Sequence, residues 1–152
     1  MNLNEYRDVI KDAIRKEVEA QRFYEAAARK IADPHLREMF SNFAAEEKKH
    51  RDTLKKIHAS GHIDRYFNET RDFKVAESVA APALSTRMKP ADAIALAMQR
   101  EAEAVRQYTE MADACPDPEG KAVFLDLAAM ERDHKHKMET AFVDIGYPEV
   151  WT

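Results

Sequence analysis

The sequence predicts an all-α fold: a four-helix bundle made of one helical hairpin written twice and joined by a long connection. Three observations predict it. With only three glycines and 34% charged residues, the composition favours helices. Residues 5–58 match residues 89–142 at sixteen positions, without a gap and at a constant offset of 84. Within each copy, apolar residues recur at alternating steps of three and four, which is one face of an α-helix.

The first helix carries Ile10, Ala13, Glu17, Ala20, Tyr24, Ala27 and Ile31 on that face, and its repeat carries Ile94, Ala97, Glu101, Ala104, Tyr108, Met111 and Cys115. An Asp-Pro pair then punctuates both copies, Asp33-Pro34 and Asp117-Pro118. Aspartate suits an N-cap and proline the first helical position, so a second helix starts there each time. Its stripe reads Phe40, Phe43, Glu47, His50, Leu54, Ile57 in the first copy and Phe124, Leu127, Glu131, His134, Met138, Ala141 in the second. Four helices of about 22 to 28 residues follow, which at ~1.5 Å per residue make a bundle roughly 35 to 40 Å tall.

Residues 60–89 break the helical pattern and have no repeat. Two hairpins related by a two-fold axis would leave the second and third helices parallel, so their connection must cross the bundle's height. About a dozen extended residues at ~3.3 Å each suffice for that. The segment has room for a short helix around Asp72 to Val79, and its length could let hairpins swap between subunits. The tail "DIGYPEVWT" is expected to pack as a short terminal segment. The length of 152 residues and 45% hydrophobic content predict one domain over 1–152 with a real core.

Net charge and cysteine usage exclude several function classes. A charge of −4 without a basic patch argues against general affinity for nucleic acid or an anionic membrane. The N-terminal stretch "MNLNEYRDVIKDAIRKE" has no apolar run of the kind a secretory signal needs, and no later stretch would span a bilayer. The expectation is a soluble, cytoplasmic protein. The single cysteine, Cys115, excludes an internal disulfide, a Cys-x-x-Cys pair and a four-cysteine metal knuckle within these residues. As it ends a stripe, it is expected to be a buried, inert thiol.

The chemistry lies in residues that interrupt the apolar stripes. One Glu-x-x-His is a weak motif, and a charged run such as "AAEEKKH" is usually a solvated face. Here Glu47 and His50 recur as Glu131 and His134 at the same repeat position, and both pairs lie on the core stripe. Glu17 and Glu101 share that stripe character, each flanked one turn away by alanines. Desolvating a carboxylate costs several kcal/mol unless a countercharge compensates it. A dinuclear metal site supplies the countercharge for four. An oxygen-rich set with one imidazole per metal suits iron or manganese, whereas structural zinc usually recruits cysteine. Residues three apart share a helical face, so Glu47 can bridge while His50 binds one metal terminally, and Glu131 and His134 repeat the arrangement.

Other candidates read differently. His136, two residues past His134, falls on the opposite face and is expected to be exposed. His58 reads as a core or surface histidine, and His35 and His62 fall near helix ends or in the connection. Glu19 and Glu103 recur but point away from the stripe, with Arg22 and Arg106 three residues on as ion-pair partners.

One Glu from each of two helices and a Glu-x-x-His from each of the other two is the arrangement of ferritin-like di-iron carboxylate proteins. The chain resembles the ferritin-like superfamily, and within it the rubrerythrin-like di-iron proteins, over both hairpins. The resemblance implies two iron ions, with Glu17 and His50 terminal on one, Glu101 and His134 terminal on the other, and Glu47 and Glu131 bridging. It also implies that Tyr24 and Tyr108, two turns after Glu17 and Glu101, hydrogen-bond ligand carboxylates and hold their orientation. A core aromatic with its hydroxyl satisfied elsewhere is the alternative.

The resemblance further implies an oxidoreductase that reduces hydrogen peroxide or dioxygen, with electrons from a separate donor protein and a homo-oligomeric, dimeric assembly. Two departures from typical rubrerythrins stand out. They carry a further glutamate three residues after the third-helix ligand, where this chain has Ala104, and a four-cysteine rubredoxin domain, which these residues lack. The more symmetric set is similar to a bacterioferritin ferroxidase centre. Ferroxidase with iron storage is therefore an alternative, and a metal-binding module without turnover is another.

Overall fold

A computed structural model of the chain describes residues 1–67, 74, 76–78 and 89–143. Four long helices account for most of them: α1 (Leu3–Lys30), α2 (Pro34–Ser60), α3 (Pro90–Ala114) and α4 (Pro118–Ala141). Their 28, 27, 25 and 24 residues agree with the lengths expected. No strand occurs among the described residues, and the fold is an all-α four-helix bundle. α1 packs on α2 and α3 on α4. The chain forms two compact units, one built on the α1–α2 hairpin and the other on α3–α4 together with residues 65–67 and 76–78.

Helix starts follow from local chemistry. Asn2 caps α1 in a reciprocal box, accepting from the Glu5 N–H at 2.8 Å while its own N–H donates to Glu5 Oε2 at 3.2 Å. Asp33 accepts from the His35 N–H at 2.8 Å, and Asp117 accepts from Glu119 and Gly120 at 3.3 and 3.2 Å, each followed by proline at the first helical position. At the other end of α2, Gly61 takes a left-handed conformation with φ +63° and donates its N–H to the Ile57 carbonyl at 3.1 Å. A Cβ there would lie 2.9 Å from Arg7 Nη2 and 3.1 Å from Leu3 Cδ1.

In the first hairpin the predicted stripes form the core. Tyr6, Ile10, Ala13, Glu17, Tyr24, Ala27 and Ile31 are buried on one side, and Leu36, Phe40, Ala44, Glu47, Leu54 and Ile57 on the other. Ala20, Phe43 and His50 lie at the stripe edges and are half-buried. The Tyr24 ring meets Phe23, Phe43 and Phe40 at centroid distances of 5.4, 5.6 and 6.1 Å. The repeat keeps only the tyrosine and one phenylalanine of this cluster, with Gln107 and Leu127 at the other positions.

The second hairpin departs from expectation in three places. Met111 is 38% exposed rather than part of the core, because a helix of 3.6 residues per turn drifts against a seven-residue repeat and Ala112 takes over the buried position. Cys115 and Phe124 are half-buried, the thiol lying 3.6 Å from the Asp117 carbonyl oxygen. α4 is also buried far beyond one stripe: Asp126, Ala128, Ala129, Met130, Lys135 and Glu139 are all inside.

The connection accounts for the three polar ones, Asp126, Lys135 and Glu139. The backbone N–H groups of Tyr66 and Phe67 donate to the two Asp126 carboxylate oxygens at 3.0 and 2.9 Å. A short 3-10 helix, Ala76–Ser78, then packs on α3. The Ala76 N–H donates to Glu139 Oε2 at 2.9 Å, Gln99 Nε2 donates to the Ala76 carbonyl, and Lys135 Nζ pairs with Glu77 Oε1 at 2.5 Å. At about 100° per residue, Asp126 and Lys135 lie on opposite flanks of α4, so the connection holds the helix from both sides. Of the short helix expected around residues 72–79, the structure shows Ala76–Ser78, while Lys74 is outside it with φ +54°; residues 72, 73, 75 and 79, and the tail from residue 144, lie outside the described residues.

Two substitutions test this reading. Gly61→Ala should destabilise the protein by about 1 kcal/mol or more, since alanine disfavours positive φ and its methyl meets Arg7 and Leu3; a urea midpoint measures it. Asp126→Ala, which strands two backbone donors, should cost roughly 2 to 4 kcal/mol, whereas Asn42→Ala at the exposed equivalent position should stay within about 0.5 kcal/mol. Equal costs at the two sites would refute the anchoring role.

Candidate metal centre

Each hairpin places two glutamates and one histidine on its inner face. In the first, α1 supplies Glu17 and α2 supplies Glu47 and His50, three residues apart and therefore on one side of the helix. In the second, α3 supplies Glu101 and α4 supplies Glu131 and His134 in the same register. The four glutamates and His134 are 1–4% exposed, and only His50 is half-buried. Small neighbours make room: Ala13 and Ala97, one turn before Glu17 and Glu101, are fully buried.

His134 Nδ1 lies 3.8 Å from Glu101 Oε2, so α3 and α4 bring an imidazole and a carboxylate together. Glu17, Glu47, His50, Glu101 and His134 each have a ligand atom placed where it could serve a metal ion. Glu131 is buried on the same stripe of α4 but is not among the residues so placed. Carboxylates and imidazoles at this depth form a donor set that fits a hard or borderline cation: such an ion offsets the desolvation of the anions and takes the imidazole nitrogen lone pairs. Tyr24 and Tyr108 are buried two turns along from Glu17 and Glu101.

The remaining polar candidates sort by their contacts. Glu103 binds Arg106, and that hydrogen bond holds its carboxyl below the ordinary value, as suits a surface ion pair. Arg106 also reaches Glu110 at 2.5 Å. Glu19 pairs with Arg15 at 3.2 Å instead of the expected Arg22, since a residue four positions back is equally a neighbour on a helix. His136 is half-buried rather than exposed, because α4 is packed around most of its circumference. His58 is half-buried, His35 and His62 are exposed, and His62 lies 3.7 Å from Asp64.

Sequence periodicity missed Asp126, Lys135 and Glu139, the buried polar residues behind the stripe. A signal was available. "VFLDLAAM" before Glu131 has one polar residue in eight, whereas the equivalent "MFSNFAAE" before Glu47 has three. A helix apolar nearly all round is covered nearly all round.

No described helix is long and apolar enough to cross a membrane. None of the curated proteins matches the chain. A solved structure, described as a hypothetical protein from Pyrococcus furiosus, is similar in fold with a TM-score of 0.52 at 24% identity, over 95% of this chain and 92% of that one. The family model for Rubrerythrin matches residues 8–141, nearly the whole of both hairpins and the connection. By that match, with a carboxylate-and-imidazole set able to hold metal in the helices it spans, the chain belongs to the rubrerythrin family.

Proposed function

We propose that the protein is a non-haem di-iron oxidoreductase that reduces hydrogen peroxide, or dioxygen, at a carboxylate-bridged centre. The observation that carries this reading is a set written twice on the core stripes, two buried glutamates and one histidine per hairpin, in a chain of this family. Glu17 and His50 would hold one iron, Glu101 and His134 the other, and Glu47 and Glu131 would bridge. Manganese would suit the same ligands. When bound, such a centre supplies two electrons to a peroxide.

The chain's own residues set the conditions for that chemistry. The carboxylates would neutralise the cations, and the bridging pair would shift to absorb the change in charge. Burial of the four glutamates and His134 would limit the water that reaches them, which strengthens the charge interactions among them. Tyr24 and Tyr108 would orient ligand carboxylates through their hydroxyls. With one cysteine in these residues, electrons would come from a separate donor protein. The assembly is proposed as a cytoplasmic homodimer.

A second reading, ferroxidase with iron storage, draws support from Ala104, which leaves the two halves with equal ligand sets. Anaerobic loading with two ferrous ions per chain, followed by rapid mixing with peroxide or dioxygen, separates the two. Ferric absorbance rising faster with peroxide supports the peroxidase reading. Faster oxidation by dioxygen, in a particle whose mass is that of a large cage, supports storage; slow oxidation by both refutes each. Glu47→Ala and Glu131→Ala should each lower stoichiometry below two metals per chain by elemental analysis, and retention of two would remove the bridging assignment. Tyr24→Phe should keep both metals while altering the charge-transfer spectrum; an unchanged spectrum and turnover would return Tyr24 to the core.

A further inference from the structure

Because the two hairpins repeat one pattern, residues 84 apart that differ report a difference in environment. The sharpest such difference flanks the two histidines. His50 is half-buried, and beside it Arg51 Nη1 donates to Gln21 Oε1 at 3.4 Å while Gln21 Nε2 donates to Glu25 Oε1 at 2.8 Å. Gln21, Glu25 and Arg51 are all half-buried, so this is a polar layer in touch with solvent. Behind His134 two of these three positions are closed, Thr109 at the third being half-buried like Glu25. Val105 replaces Gln21 and is buried, and Lys135 replaces Arg51 at 1% exposure.

Lys135 is sealed by the connection. Its ammonium lies 2.5 Å from Glu77 and 3.9 Å from Glu139, which is itself fully buried and accepts the Ala76 N–H. Gln99 of α3 binds the Ala76 carbonyl, so Ala76, next to Glu77 in the ion pair, is fastened through both its N–H and its carbonyl. The counterpart of Glu139 in the first hairpin is Lys55, which is exposed. One histidine thus abuts a wet surface layer, and the other is followed in sequence by a residue locked under a strap of chain.

Release of a bound ion proceeds as incoming water or chelator displaces protein ligands one at a time, so access to the terminal ligand governs its rate. We propose that the two metal positions differ in exchange. The ion on Glu17 and His50 is exchangeable, and the ion on Glu101 and His134 is retained behind the Glu77–Lys135–Glu139 latch. The connection is then a retention device for one metal as well as a link between hairpins. This rests on the dinuclear reading above.

Cobalt(II) is a probe that needs no turnover. The protein is loaded anaerobically with two cobalt ions per chain and mixed with excess EDTA, and the cobalt d–d absorbance is followed. Release should occur in two phases of equal amplitude whose rates differ by at least about tenfold. His50→Ala should remove the fast phase and leave the slow one. Glu77→Gln, a change at a half-exposed side chain, should speed the slow phase several-fold without changing the fast one, its helical circular dichroism matching the parent's. Arg51→Met should leave the slow phase unchanged. Two bound cobalt ions released in a single phase, loss of the slow phase in His50→Ala, or equal acceleration of both phases in Glu77→Gln would each overturn the proposal while leaving the dinuclear reading intact. Fewer than two cobalt ions bound to the parent protein would overturn both.

Discussion

Carboxylates withdrawn from water inside helical hairpins are the constraint on which this structure depends. Four glutamates at 1–4% exposure, counting only Glu17, Glu47, Glu101 and Glu131, would be costly in any apolar core, at several kcal/mol each without a countercharge. Helices are the element that can bear them, because every backbone group between the caps is already satisfied and only side chains need be accommodated. The alanines one turn away, the Glu-x-x-His spacing and the length of the helices on either side all serve that placement.

The same problem is met again on the outside of α4, by a different means. Asp126 and Glu139 are buried acids that accept backbone N–H groups from the connection, and Lys135 lies between Glu139 and Glu77. Here the compensation is internal to the protein: main-chain donors and one lysine. The inner and outer faces of one helix therefore hold acids of opposite design. The one facing in, Glu131, is buried on the stripe it shares with His134, and those facing out, Asp126 and Glu139, hold the connection to the helix.

Much of this was legible in the residues. The repeat gave the hairpins, the Asp-Pro pairs gave two helix starts, and the stripe gave Glu17, Glu47, His50, Glu101, Glu131 and His134 as inward-facing groups. What the stripe could not show was its own drift, which puts Met111 outside and Ala112 inside. Nor could it show the second buried surface of α4. Periodicity records that a helix has an inner face; whether its other faces meet water depends on a segment with no period of its own. The pairing of Glu19 with Arg15 rather than Arg22 was likewise beyond reach, since both spacings are sound and only rotamers choose.

The strap over α4 also sets an order of assembly. Its contacts join residues 58 to 63 apart in sequence, whereas the first hairpin closes through neighbours across a turn of three residues, Ile31 to Asp33. Loop-closure entropy makes the distant contacts late. On the ribosome the first hairpin is complete before α4 has been synthesised, and the Tyr66 and Ala76 amides wait in water until their acceptors emerge. The repeated halves are equal in pattern and unequal in time: the first can fold from what precedes it, and the second must capture a stretch of chain already made.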